Sequence, residues 1–194
     1  MTIILDLIGS TIVAGYIILI GLRLNFSIAS ASDSSITGLD VQESMVGALG
    51  SIESDFRKMG FNLIDPKDAI ALADTNRLLF RADMNRDGLV DSVEWYVGAP
   101  QAKYLPRDVR ILYRKINNGT PAIIAHGITT FKLKYLTQDG VETNVLSQIW
   151  IIETTIAVSS PYKVADQIDP TKQDYVSAFW RQTRLSSRNI KRHG

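Results

Sequence analysis

From Ile3 to Ile20 the chain carries one charge, Asp6, and the apolar stretch runs on through Leu22 before Arg23 interrupts it. Twenty helical residues at about 1.5 Å each span about 30 Å, the hydrocarbon thickness of a bilayer. No polar face repeats along TIILDLIGSTIVAGYIILIGL, so the run suits a membrane helix better than the core helix of a soluble domain. A cleaved secretory signal is the main rival, since Ala29-Ser30-Ala31 has small residues at the right spacing. Against it, no basic residue precedes the run, which also exceeds the ~7–15 apolar residues of such signals.

Within this segment, Ser10 with Ala14 and Thr11 with Gly15 are small-xxx-small pairs on adjoining stripes. Small side chains let helix backbones approach closely in lipid. Asp6 is costly in an apolar setting unless it is paired or reaches the interface. It reads equally as a wetted residue of the first turn or as a carboxylate facing a partner. Charge gives no orientation, because no basic residue precedes the helix.

The 194 residues allow one domain beyond the anchor. A 45% hydrophobic and 21% charged composition is that of a folded protein. The net charge of +1 argues against a general nucleic-acid binder. It hides an asymmetry: Arg181, Arg184, Arg188, Lys191 and Arg192 close the chain without an acid, leaving the rest at −4. The chain has no cysteine, which excludes disulfides, thiol catalysis and zinc–thiolate sites.

Four regions follow: an apolar helix over 1–23, a linker over 24–39, a head over 40–187, and a basic tail over 188–194. The linker is rich in Ser, Ala and Thr and lacks apolar periodicity. Asp40 with Glu43 has the spacing of a capping box. Val41, Met45, Leu49, Ile52, Phe56 and Met59 then form one helical stripe, with Gly60 placed to end it. After a short turn at Asp65-Pro66, strands are expected at 77–83, 90–98, 109–116, 129–137, 147–159 and 175–186. Phe131, Leu133 and Tyr135 alternate strictly, and Asn118-Gly119 and Asp139-Gly140 mark turns. The expected head is α+β, a helix laid on an antiparallel sheet.

One motif carries chemistry. Residues 83 to 94, DMNRDGLVDSVE, fill every position of the twelve-residue calcium loop. Calcium takes six to eight hard oxygens. Asp83, Asn85 and Asp87 would supply the first three, Leu89 its carbonyl, Asp91 a direct or water-mediated contact, and Glu94 both oxygens, while Gly88 makes the turn. The Trp95-Tyr96-Val97 that follows favours a strand over the usual helix. The expectation is a structural, weakly held Ca2+ between two strands; the alternative is a hairpin with solvated acids. No nucleophile, phosphate-loop or dinucleotide motif occurs, and His126 and His193 have no neighbours that suggest a relay. An enzyme is not expected.

The order of these features resembles minor pilins of the type IV filament superfamily, especially W-type minor pilins and the J-type pseudopilins of type II secretion. The resemblance rests on the apolar N-terminal helix and on SIESDFRKMGFN (51–62), similar to the family's helix-ending segment. LLFRADMNRDGLVDSVEWYV (78–97) is similar to its strand, Asp-rich loop and strand. ILYRKINNG (111–119), HGITTFKLKYL (126–136) and FWRQTRLSSRN (179–189) follow in family order. The family's basic leader is not seen, and Asp6 stands nearest its fifth-position glutamate, becoming fifth if Met1 is removed. The resemblance implies a pilin-like, extracytoplasmic subunit that enters a filament or pseudopilus through its N-terminal helix, partnered by other pilin-like subunits and held in the inner membrane beforehand. Asp6, Ser10, Thr11, Ala14 and Gly15 are the candidate assembly residues. The competing expectation is a membrane-tethered calcium-binding adhesion module that forms no filament.

Overall fold

A computed structural model describes residues 2–104, 107–165, 172–186 and 189–190. A single helix, α1 (Thr2–Lys58), occupies the first 57 described residues, a length of about 85 Å. The first proline is Pro66, so no residue in this stretch removes a helical donor. The linker expected over 24–39 is therefore helix, and Asp40 lies inside it rather than capping a new start. Helix growth is cooperative and adds a bond per residue once nucleated. The serines join it by bonding back along the chain: Ser30 donates to the Ser27 carbonyl at 3.0 Å and Ser35 to that of Ala31 at 2.9 Å.

The two halves of α1 have opposite surroundings. Residues 3–29 are exposed all round. Burial starts at Ser34 and continues through Thr37, Val41, Ala48, Ile52 and Phe56, a three-and-four spacing that defines one face. This face includes the stripe expected from sequence. Gly60, with φ +76°, ends the helix in the left-handed region that glycine tolerates. Asn189 donates to the Arg57 and Met59 carbonyls at 3.4 and 3.5 Å, so part of the expected tail packs on the helix end. Residues 188 and 191–194 of that tail, including His193, lie outside the described residues.

Facing the helix is a curled, seven-stranded antiparallel sheet, β1 (Ile70–Asp74), β2 (Arg77–Ala82), β3 (Asp91–Val97), β4 (Arg110–Ile116), β5 (Ala122–Leu136), β6 (Ile151–Ser159) and β9 (Ser177–Leu185), hydrogen-bonded in that order. Along the chain a small ribbon of β7 (Val164–Ala165) and β8 (Gln173–Asp174) comes between β6 and β9, which pair directly in the sheet. The fold is α+β, as expected. Strand β1 and the first seven residues of β5 were not expected. Ile-Ala-Leu-Ala-Asp lacks β-branched density, and Gly127 interrupts the pattern of β5.

Strand β5 curls the sheet. Its first half pairs with β4 as far as Ile128, and its second half pairs with β6 from Ile128 to Leu136. At the change of partner, Gly127 has φ +75°, and a Cβ there would lie 2.5 Å from the Ser159 carbonyl oxygen. The second half then closes on the β1–β2 turn. The Leu133 amide donates to the Thr75 carbonyl at 2.7 Å, and the Tyr135 hydroxyl to that of Asp74 at 2.7 Å. In the enclosed core Phe56 meets Phe80 and Trp95 edge-on, with centroids 6.0 and 6.4 Å apart. Trp95 is fully buried, whereas Trp150 and Trp180 are half-buried.

Candidate functional site

The Asp83–Asp91 loop joins β2 to β3 at the end of the head where α1 stops. Backbone bonds attach it there: the Gly60 amide donates to the Arg81 carbonyl at 2.9 Å and the Asp83 amide to that of Phe61 at 3.0 Å. The turn after α1 thus continues the pairing of β2 past the end of β1.

Asp83 is 2% exposed and organises the loop. Its carboxylate accepts from the Arg86 amide at 2.6 Å, the Gly88 amide at 3.1 Å and the Asn62 side chain at 3.1 Å. Asn85 Oδ1 accepts from the Asp87 amide at 3.2 Å, and Asp87 accepts from the Leu89 amide at 2.7 Å and the Asn85 side chain at 2.8 Å. These bonds hold the Asp87 carboxyl below its usual range, the Leu89 amide contributing most and Asn85 next. Asp91 accepts from the Met84 amide at 3.2 Å and from Asn117 at 2.7 Å. Arg86 and Gly88 take positive φ, 65° and 88°, which makes the reversal possible.

Glu94 stands apart from the loop. Strand alternation turns Val93 and Trp95 to the core and Glu94 to the outer face. It is three residues along β3 from Asp91, about 10 Å, and pairs with Arg77 at 2.5 Å. Asp83, Asn85, Asp87, Leu89 and Asp91 share one loop, and the twelfth position does not join them. The oxygen donors of the loop suit a hard cation in type. Among the described residues, however, no three acidic or imidazole side chains converge as a ready-made metal cluster, because the carboxylates turn to backbone amides. Asn62 and Asn117 support the loop from outside the motif. The Gly60-Phe61-Asn62 and Asn117-Asn118-Gly119 turns are visible in the sequence, but their partners are not.

The other candidate residues lie on the exposed half of α1. Asp6, Ser10, Thr11, Ala14 and Gly15 are all exposed. Ser10 donates to the Leu7 carbonyl at 2.9 Å and Thr11 to that of Ile8 at 2.8 Å, so their hydroxyls are satisfied within the helix and leave a small-residue surface. Helix α1 is long and apolar enough to cross a membrane, and none of its apolar window is buried against the head. His126 is exposed.

No known family model matches this chain, and no curated protein sequence matches it.

Proposed function

We propose that this protein is a structural subunit of a type IV pilus-like filament or secretion pseudopilus, assembled through residues 1–22. The observation that carries this reading is the continuity of α1: one helix is apolar and bare over its first half and packed into a sheet over its second. A helix bare of its own head needs another cover, and a bilayer and neighbouring helices both suit that surface. Thr11 with Gly15 and Ser10 with Ala14 give close approach, and Asp6 faces a partner. In this reading the head is displayed outside the cell and the membrane stores the subunit before assembly. The protein has a structural role, not a catalytic one.

Weak calcium binding belongs to the same proposal. Asp83, Asn85, Asp87, the Leu89 carbonyl and Asp91 would hold the ion, which would neutralise the loop and fix it to the end of α1. Affinity in the extracellular range, about 10⁻⁴–10⁻³ M, fits a loop whose carboxylates must leave backbone partners.

Electron microscopy of native, sheared and detergent-extracted material, with and without chelator, tests the proposal. Filaments or a defined complex packed through residues 1–22, lost when that segment is deleted, are the expected result. Isolated particles in detergent micelles at every calcium level would instead favour a membrane-tethered binding module.

A further inference from the structure

The two outward surfaces of the head carry opposite charge. Between Arg23 and Arg57 helix α1 has no lysine or arginine. Asp33, Asp40 and Glu43 recur at spacings of seven and three, which returns them to one side of the helix, and all three are exposed. Ile36, Leu39 and Val46 lie among them, 55%, 66% and 64% exposed. Glu43 points away from the sheet, opposite Val41, Ala48 and Ile52, while Asp40 stands exposed at the flank of this face, beside a cavity lined by Gln101, His126 and Tyr162.

The outer face of β2–β4 is basic. The register sets Leu79, Glu94 and Lys115 in one row and Arg81 beside Ser92 in the next, where Asn117, just past β4, exchanges hydrogen bonds with Ser92. Arg77, Arg81 and Lys115 therefore share a surface with Glu94, which Arg77 engages, and with Asp91 at its edge, which accepts from Asn117. Apolar contact area accompanies them: Tyr96 stacks on Tyr113 with centroids 5.4 Å apart, and the neighbouring Ile123 is 53% exposed. The acidic, aliphatic face and the basic, aromatic face are complementary in charge and both offer apolar surface.

From this we infer that the head of one copy docks the outward face of its helix, Asp40 and Glu43, on the outer β2–β4 face of a second copy, Arg81 and Lys115. The inference rests on the subunit reading above and adds the contact between heads. The two faces are different surfaces of the head, so the contact is heterologous, and it extends as an open row where the rotation from copy to copy does not close a ring.

The absence of native cysteine makes the test clean. In membranes of cells expressing the full-length chain, a Glu43→Cys, Lys115→Cys double variant should give a ladder of disulfide-linked dimers, trimers and higher species. Each single variant alone should stay monomeric, and co-expression of the two should stop at dimers. Raising salt to about 1 M, where the screening length is about 3 Å, should reduce the ladder several-fold. Adding Arg81→Glu should do the same, and Asp40→Arg should restore it. A Thr11→Cys variant reports helix packing separately. Cross-links at 11 without a 43–115 ladder would overturn the head contact and leave the filament reading standing; none at either site would reject both. Dimers of Glu43→Cys alone as abundant as the mixed pair would also overturn it, by showing a symmetric contact.

Discussion

Trp95 donates its indole N–H to the Asp55 carboxylate at 3.0 Å, beneath the sheet and beside the Arg114 guanidinium, which grips the same carboxylate at 2.5 and 3.0 Å. Asp55 is 4% exposed and belongs to α1, whereas Trp95 and Arg114 belong to adjacent strands. One carboxylate therefore fixes the helix against β3 and β4 in both height and rotation.

Removing a single member of this cluster leaves buried polarity without a partner. Asp55→Ala should destabilise the head by about 3 kcal/mol, the lower end for breaking a buried ion pair, because Arg114 keeps some solvent. Asp55→Leu combined with Arg114→Met should recover only part of the loss, since it removes the stranded charge but leaves the buried Trp95 indole N–H without an acceptor. Denaturant unfolding of the detergent-solubilised protein measures both; equal losses in the single and double variants would show that the stranded Arg114 charge is not the source of the cost, and no loss in Asp55→Ala would show that the pair does not stabilise the fold.

Two glycines with the same backbone sign should respond differently to alanine. At Gly127 the new Cβ would collide with the Ser159 carbonyl at 2.5 Å, whereas at Gly140, with φ +80°, it meets nothing within 4 Å. Gly140→Ala should cost only the left-handed strain, about 1–2 kcal/mol. Gly127→Ala should cost more and loosen the pairing of β5 with β6. Thermal unfolding midpoints rank them, and hydrogen exchange across Thr130–Leu136 locates the effect.

Calcium should raise the thermal midpoint at millimolar concentration. Asp83→Ala should abolish that rise and also lower the midpoint without calcium, because the same carboxylate holds the Arg86 and Gly88 amides. Glu94→Gln should leave the calcium response unchanged and disturb only Arg77. The Asp87 carboxyl, lowered by the Leu89 amide and then by Asn85, has its stabilising effect in full above the unfolded value of about 3.9. That effect should fade as pH falls through the folded value, which NMR titration of the loop amides follows. A midpoint indifferent to calcium would reduce the loop to a self-bonded hairpin.

Burial, with the negative Asp74 as a second cause, pushes the Tyr135 phenol above its ordinary value. The folded state favours the neutral phenol, so this contribution is complete below about pH 10 and is lost as pH rises through the folded value. Tyrosinate absorbance of Tyr135 should therefore appear only as the head unfolds. Tyr135→Phe should flatten the alkaline loss and cost about 1 kcal/mol for the hydrogen bond to the Asp74 carbonyl.

Periodicity made much of this architecture legible. The stripe from Val41 to Met59 announced the packed face of the helix, and Phe131-Lys132-Leu133-Lys134-Tyr135 announced a strand. Where the pattern is silent the reading failed: Ser, Ala and Thr across 24–39 have no apolar period, yet a helix growing from both sides passes through them. The calcium motif was legible in residue types, but a twelve-letter pattern does not say whether its last member follows a helix or a strand. Because Trp95 sits in β3, period two carries Glu94 to the outer face. Asp55 and Arg114 are 59 residues apart in the chain, and nothing local in either segment announces the other.

An unbroken α1 also fixes a phase. Because the same turns run from the bare segment into the head, each residue gained or lost between Arg23 and Ser34 rotates the head about 100° around the helix axis. Seven residues, nearly two full turns, bring it back to within about 20° but move it about 10 Å outward. The direction in which the head faces is therefore set by counting residues in the very stretch whose composition looked like a tether.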